Sequence, residues 1–400
     1  MSEKSLSVAQ IHWGFPPTIG GVETHLSIMC PEMVRLGHKI SVLTASIEGE
    51  SDRVEYKGVQ VYRSPVMDLN RFIGTNSTFS GDEVEKAFVN FLDETKPDII
   101  HAHNLHYFTR IHTEVLDAET RRRGIPLMLT AHNMWDEGIC LDLTARFPWD
   151  HIIAVSHFIK KELMGAGVED EKITVVHHGI DTDKFKKVKD LEPLYQKYPN
   201  CRGRRVIFHP ARISLGKGGD ISVKAAALVK RRFPDILLVL AGLARKIDWD
   251  EAMPGDMAFI SELVKIHGMQ DNLYIDTFSI DQMAELYNLA EICVYPSTAY
   301  EPFGLTMLEA QASEKPIVVT RIGGMPEIIH DGINGYVVPA RDHEALAHRI
   351  IILLQDDRLK RRFGTVGRQN VLTHFTKQIM TKRVLEIYGK VLNRQSATSI

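Results

Sequence analysis

Residues 292–309, ICVYPSTAYEPFGLTMLE, carry the reading that decides the fold. Ile292–Tyr295 is a strand-length apolar run. Pro296 and Ser297 break it, and helical spacing begins at about Gly304 and lasts to Ser313. The spacing therefore predicts strand, turn and helix in succession. The backbone amides of Phe303, Gly304 and Leu305 fall at the helix start, where they lack intrahelical acceptors and attract phosphate or sugar oxygens. Glu301 precedes the helix and Glu309 lies about two turns along it. Two carboxylates so placed meet different parts of one extended ligand, and carboxylates accept hydrogen bonds from vicinal hydroxyls.

The same alternation extends outward in both directions. Val8–Ile11, Ile40–Thr44, Asp98–Ala102, Leu127–Thr130, Ile152–Val155 and Ile173–Val176 read as strands, with helices at Val22–Leu36, Arg110–Arg123 and Ser156–Gly165. Pro31 should kink or break the first of these helices. Val54–Tyr62, with Lys57-Gly58 at its turn, reads as a hairpin. Asp181–Arg205 is charged, carries Pro193, Pro199 and Gly203, and reads as a connector. Beyond it strands recur at Val206–His209, Ile236–Ala241, Leu273–Ile275, Ile292–Tyr295, Ile317–Val319 and Tyr336–Val338. The expected fold class is α/β: two Rossmann-like domains, 1–190 and 191–374, facing a central cleft, with ligands at the carboxyl ends of the strands.

Bulk properties narrow the function. The chain is 44% hydrophobic and 25% charged, with net charge −3, which argues against nucleic acid as a partner. Cys30, Cys140, Cys201 and Cys293 lie far apart without a C-x-x-C pair, so a zinc or redox site is not expected and a cytoplasmic location fits. No secretory signal or spanning segment is legible. Arg121, Arg122 and Arg123 allow at most a peripheral membrane contact; a solvated helix C-terminus, which the dipole favours, is the preferred reading.

Other candidate residues cluster at strand ends. Arg212 and Lys217, beside Gly216, Gly218 and Gly219, form a cationic loop suited to a diphosphate, without the spacing of an ATPase loop. Gly20 and Gly21 occupy the equivalent place after the first strand, where glycines permit close approach to a ligand. His132 ends a strand and can meet a sugar hydroxyl. His101 and His103 share one strand face, leaving open a metal, an acceptor contact or plain structure. Asp181-Thr-Asp183 spells a metal triplet but lies in the connector and reads as structural.

Together these pieces resemble glycosyltransferase family 4, whose fold is GT-B. The resemblance spans the chain and includes His178-Gly-Ile-Asp181 and the stretch from Gly323-Gly324 to Gly335. It implies that Arg212 and Lys217 hold the donor diphosphate, Glu309 the ribose and Glu301 a hexose hydroxyl. Backbone at Phe303, Gly304 and Leu305 would contact sugar and phosphate, Gly20 and Gly21 would approach them, and His132 would contact the transferred sugar. The base would be read near Phe278 and Ser279. The last helix, 375–400, would return to the first, acceptor-binding domain.

The activity so implied is metal-independent, retaining hexosyl transfer from a nucleotide diphospho-sugar, UDP-linked rather than GDP-linked, with no cofactor. Trp13, His103, Tyr107 and Asn133 are the candidate acceptor contacts, in loops at Trp13–Ile19, Leu69–Ser80, His103–Thr109 and Asn133–Gly138. The acceptor is left open, with a small soluble molecule or glycan favoured, and no oligomeric state is assigned. Two competing readings are a nucleotide-sugar epimerase or hydrolase of the same fold, and a non-catalytic donor-binding subunit.

Overall fold

The computed structural model describes residues 5–69, 79–107, 109–134, 138–243 and 254–398. These divide into two compact units, 1–179 with 377–400, and 180–376. Each is an α/β layer structure of its own.

The first unit holds an eight-stranded sheet. Its strands are β1 (Ser7–Ile11), β2 (Lys39–Ala45), β3 (Arg53–Tyr56), β4 (Val59–Ser64), β5 (Ile99–His103), β6 (Leu127–Ala131), β7 (His151–Ala154) and β8 (Ile173–Val175). Their spatial order is β3-β4-β2-β1-β5-β6-β7-β8, parallel except for the β3–β4 hairpin. That hairpin turns at Lys57 and Gly58, both at positive φ (51° and 82°), as a two-residue turn matched to strand twist requires. Between β1 and β5 the strand order reverses direction, and the loops that follow these two strands flank that point. Helix α1 (Gly21–Arg35) follows β1, α2 (Gly81–Thr95) precedes β5, and α3 (Arg110–Arg123), α4 (Gly138–Ala145) and α5 (His157–Gly165) follow.

Of the expected kink or break at Pro31, the break does not occur: α1 runs through it. The proline ring removes one donor, but Leu26, Met29, Cys30 and Met33 on either side of it are fully buried, and that burial outweighs a lost hydrogen bond. Arg121, Arg122 and Arg123 are ion-paired within the unit to Asp117, Glu119 and Asp93. All four cysteines are buried and none is in a disulfide, and no helix among the described residues is long and apolar enough to cross a membrane.

The second unit holds a six-stranded, wholly parallel sheet: β9 (Arg205–His209), β10 (Ile236–Leu243), β11 (Leu273–Phe278), β12 (Ile292–Tyr295), β13 (Ile317–Thr320) and β14 (Tyr336–Val338). The order β11-β10-β9-β12-β13-β14 puts its reversal between β9 and β12. The accompanying helices are α6 (Glu192–Lys197), α7 (Gly219–Lys230), α8 (Pro254–Ile266), α9 (Ile280–Leu289), α10 (Leu305–Ala312), α11 (His343–Gln355) and α12 (Asp357–His374).

Residues 180–205 are not a free connector. Phe185, Tyr198 and Cys201 are buried, the Val188 amide donates to Asn288 Oδ1 at 2.8 Å, and Lys197 pairs with Glu285. The boundary accordingly falls at 179/180, where residues 180–190 had been expected in the first half. Asp181 Oδ1 accepts from the amides of Asp183 and Lys184, which makes the Asp-Thr-Asp triplet a backbone turn. Helix α13 (Lys377–Thr398) belongs to the first unit: Met380, Val384, Ile387, Tyr388 and Val391 join Leu26, Met29 and Met33 in one core.

Candidate functional site

In the second unit the loops after β9 and β12 lie at the reversal of strand order and are clipped together. The Gly216 carbonyl accepts from the amides of Thr298 (2.9 Å) and Ala299 (3.0 Å) and from the Ser297 hydroxyl (3.0 Å). Gly218 has φ 77°, and a Cβ there would sit 2.0 Å from the Pro296 carbonyl oxygen. Only glycine permits so close a crossing. The clip brings the Lys217 ammonium to 3.0 Å from Glu301 Oε2, and the Tyr295 hydroxyl donates to that same oxygen. Burial works against the Lys217 charge, but Glu301 and Tyr295 outweigh it and hold the ammonium above its usual range. Arg212, half-buried, is close enough to oppose that charge.

Glu301 is also fixed through its backbone. Its carbonyl accepts from the Gly324 amide at 3.0 Å, and a Cβ on Gly323 (φ 55°) would lie 2.0 Å from the same oxygen. The glycine pair after β13 is therefore the seat of Glu301. Eight residues on, Glu309 is buried in α10 and accepts from the Tyr287 hydroxyl at 2.8 Å. Burial raises its pKa to about 7, against the smaller opposing pull of Tyr287 and Lys184. At the helix start, Gly304 takes φ 99° as N-cap with no side-chain cap. The Met307 amide reaches Gly304 O, while those of Leu305 and Thr306 donate to no described residue. They keep the donor character expected of a helix N-terminus.

The Phe278 and Phe303 side chains are core, the latter beside Phe375, which leaves the expected main-chain contacts as what these residues could offer a ligand. Ser279 is the N-cap of α9. Its hydroxyl accepts from the Gln282 amide, its own amide donates to Gln282 Oε1, and its carbonyl accepts from Met283. The capping box thus occupies the Ser279 amide and hydroxyl and leaves its carbonyl one lone pair.

In the first unit Gly20 and Gly14 lie against the Glu23 side chain. A Cβ on Gly20 would meet Glu23 Oε2 at 2.2 Å and one on Gly14 would meet Oε1 at 2.3 Å, whereas Gly21 is open. Glu23 Oε1 lies 3.1 Å from His12 Nε2. Beside that pair the strand ends gather a cluster of buried histidines: His12, His25, His101, His103, His132 and His178. His103 and His132 share a proton at 2.9 Å, His132 and His178 meet at 3.4 Å, and His178 and His25 at 2.9 Å. Burial, reinforced by neighbouring imidazoles, holds His25 down to about 3 and His103, His132 and His178 well below 6.5; burial alone lowers His101 to about 3. His25, His101, His103, His132 and His178 are thus neutral.

Ring nitrogens of His25, His103 and His132 lie within 4.8 Å of one another. Nitrogens on one tetrahedral zinc stand roughly 3.3 Å apart, given Zn–N bonds of about 2.0–2.1 Å. The 2.9 Å His103–His132 contact is that of nitrogens bridged by a proton.

His103 is fully buried with both ring nitrogens bonded, to His132 and Gln10, so it is not an acceptor contact as expected. Trp13 is core, 7% exposed, with its carbonyl taken by Ala45 and Thr44. Asn133 is half-buried and accepts from Asn104 through Oδ1. The Tyr107 side chain and residues 70–78, 108 and 135–137 of the expected acceptor loops lie outside the described residues. The sequence reading missed Tyr295, Tyr287, Glu23, Gln10 and Tyr388, and gave His25 and His12 no role. The available signal was a histidine directly after β1 and β6 and another closing β5.

Residues 193–370 match the family model described as glycosyl transferases group 1, and residues 19–184 match glycosyltransferase family 4. An uncharacterized glycosyltransferase of Methanocaldococcus jannaschii, MJ1607, is 25% identical over 96% of this chain and 98% of its own. A glycosyltransferase from Rickettsia africae superposes with TM-score 0.80 at 21% identity, covering 98% of this chain and 99% of that one. Anabaena HepE, solved with UDP and glucose, gives TM-score 0.76 at 19% identity, covering 96% and 99%. Both neighbours share the two-domain GT-B fold with this chain. The two models between them account for most of the sequence, and the chain belongs to glycosyltransferase family 4.

Proposed function

We propose that this glycosyltransferase moves a hexosyl group from a UDP-linked donor to an acceptor hydroxyl, with retention of configuration and without a divalent metal at the diphosphate. The observation that carries the reading is Glu301 bound to Lys217 and Tyr295 at the strand ends of one sheet, with Glu309 two turns further on. Glu309 would accept the ribose hydroxyls in place of Tyr287. Glu301 would take a hexose hydroxyl, and Arg212 with Lys217 would bind the diphosphate, helped by the amides of Leu305 and Thr306.

As the bond from the anomeric carbon to the diphosphate oxygen breaks, its electron pair passes to the leaving group. The fixed cations stabilise that charge, the role a divalent metal would otherwise fill. The acceptor oxygen bonds to the anomeric carbon on the face the diphosphate leaves, and its proton passes to a diphosphate oxygen. No enzyme nucleophile is required. In the first unit, His132 would offer Nδ1 to a ligand hydroxyl, since Nε2 is committed to His103 and the 3.4 Å contact with His178 is the longest in the cluster.

HepE, solved with UDP and glucose, favours the uridine nucleotide. The test is a thermal-shift screen of UDP- and GDP-sugars with excess chelator. Stabilisation by a UDP-hexose and transfer that survives EDTA support the reading; a strict need for Mg2+ or Mn2+ refutes the metal-free step.

A further inference from the structure

The last helix reaches the buried histidines through one phenol. Tyr388 of α13 is fully buried, and its hydroxyl accepts from Gln10 Nε2 at 3.0 Å and donates to His101 Nδ1 at 2.7 Å. His101 then donates from Nε2 to the Thr130 hydroxyl at 2.6 Å. With its amide nitrogen spent on Tyr388, Gln10 presents Oε1 to His103 Nε2 at 2.7 Å. A carbonyl oxygen only accepts, so His103 must carry its proton on Nε2.

The rest of the chain is then determined, because burial keeps each ring neutral with one N–H and one lone pair. His103 Nδ1 accepts, so His132 donates from Nε2. His132 Nδ1 therefore holds a lone pair, facing His178 Nε2–H. His178 Nδ1 accepts in turn from His25 Nδ1–H, and His25 Nε2 meets no donor among the described residues. Turning the Gln10 amide over would reverse every proton and make His132 Nδ1 a donor.

We propose that Tyr388 and Gln10 are positioning residues that act through His103 to keep His132 in the Nε2–H form, so that its Nδ1 lone pair, which faces His178 Nε2–H at 3.4 Å, accepts instead from a ligand hydroxyl that displaces this long contact. This rests on the reading of His132 as a ligand contact. It gives the terminal helix a function beyond packing: a hydroxyl 378 residues from Gln10 in sequence sets the polarity of the strand-end imidazole.

The deciding experiment is nitrogen NMR of the full-length chain labelled with 15N at histidine. Wild type should show Nε2–H at His103, His132 and His178, with the rarer Nδ1–H form at His25. Tyr388→Phe removes one oxygen and Gln10→Met removes both polar atoms at similar volume, so one serves if the other fails to fold. Each should change the protonated nitrogen of His103 and His132. Each should also lower UDP release from UDP-glucose about tenfold in kcat with KM little changed, as expected for one lost orienting hydrogen bond. An unaltered tautomer pattern in either folded variant overturns the proposal, as does unaltered turnover in a variant whose tautomers have switched. If His132→Ala itself turns over normally, the failure lies with the His132 reading and not with the chain that sets its proton.

Discussion

Glu309 is a carboxylate whose own environment disfavours its charge. Burial raises it to about 7, and a ribose that donates two hydroxyls prefers the ionised form. UDP affinity should therefore rise from pH 6 to pH 8 in the wild type. Glu309→Gln should bind roughly tenfold to a hundredfold more weakly and lose that pH dependence. Titration calorimetry at three pH values decides it, and a parallel slope in the variant would remove Glu309 from the ribose. Lys217 plays a different part. Lys217→Met should lower turnover roughly 10²–10³-fold, the scale of losing one fixed charge-stabilising donor, while UDP affinity changes less. Equal losses in both would mean that Lys217 only binds.

At the level of elements, the turn after β13 shows what can be read locally and what needs the fold. Gly323 and Gly389 are identical letters. Alanine at 323 would press on the Glu301 carbonyl at a positive φ, whereas alanine at 389, inside α13, meets nothing within 4 Å. Gly323→Ala should destabilise by about 1–3 kcal/mol and impair turnover, and Gly389→Ala should stabilise by up to about 1 kcal/mol. Melting curves of the two variants should thus move in opposite directions; the same sign in both would show that Glu301 is not seated as described. Glu301, Glu309, Lys217 and Arg212 were legible because strand, turn and helix lie consecutively in sequence. The cap at Ser279 was missed because Ser-x-x-Gln at a strand end serves a helix cap as well as a ligand. The histidine chain was illegible as a unit, since its members come from positions 25 to 178 and only the parallel strand order brings them together.

Across the whole molecule, the ionisable groups buried in the two units lead to different responses to acid. In the first unit His25 and His101 have folded pKa values near 3, and His103, His132 and His178 are held well below the ordinary 6.5. Below pH 6.5 the unfolded chain binds protons that the folded unit refuses, so stability falls as pH falls. His25 by itself accounts for a loss on the order of 2 kcal/mol at pH 5. The second unit carries opposed groups. His209, lowered to about 3 by burial and then by Lys217, also loses stability below 6.5. Glu309, raised from 4.5 to about 7, gains it over the same fall: its contribution is full below 4.5 and is lost as pH rises through 7. These two largely offset each other between pH 7 and pH 5. Calorimetry of the full chain should therefore show one transition moving sharply to lower temperature on acidification while the other holds. A chain limited to residues 180–376 identifies the steadier one. If that isolated unit proves the more acid-labile, then the neutral histidines do not control the first unit's stability, and the hydrogen-bond chain deduced from their neutrality fails with it.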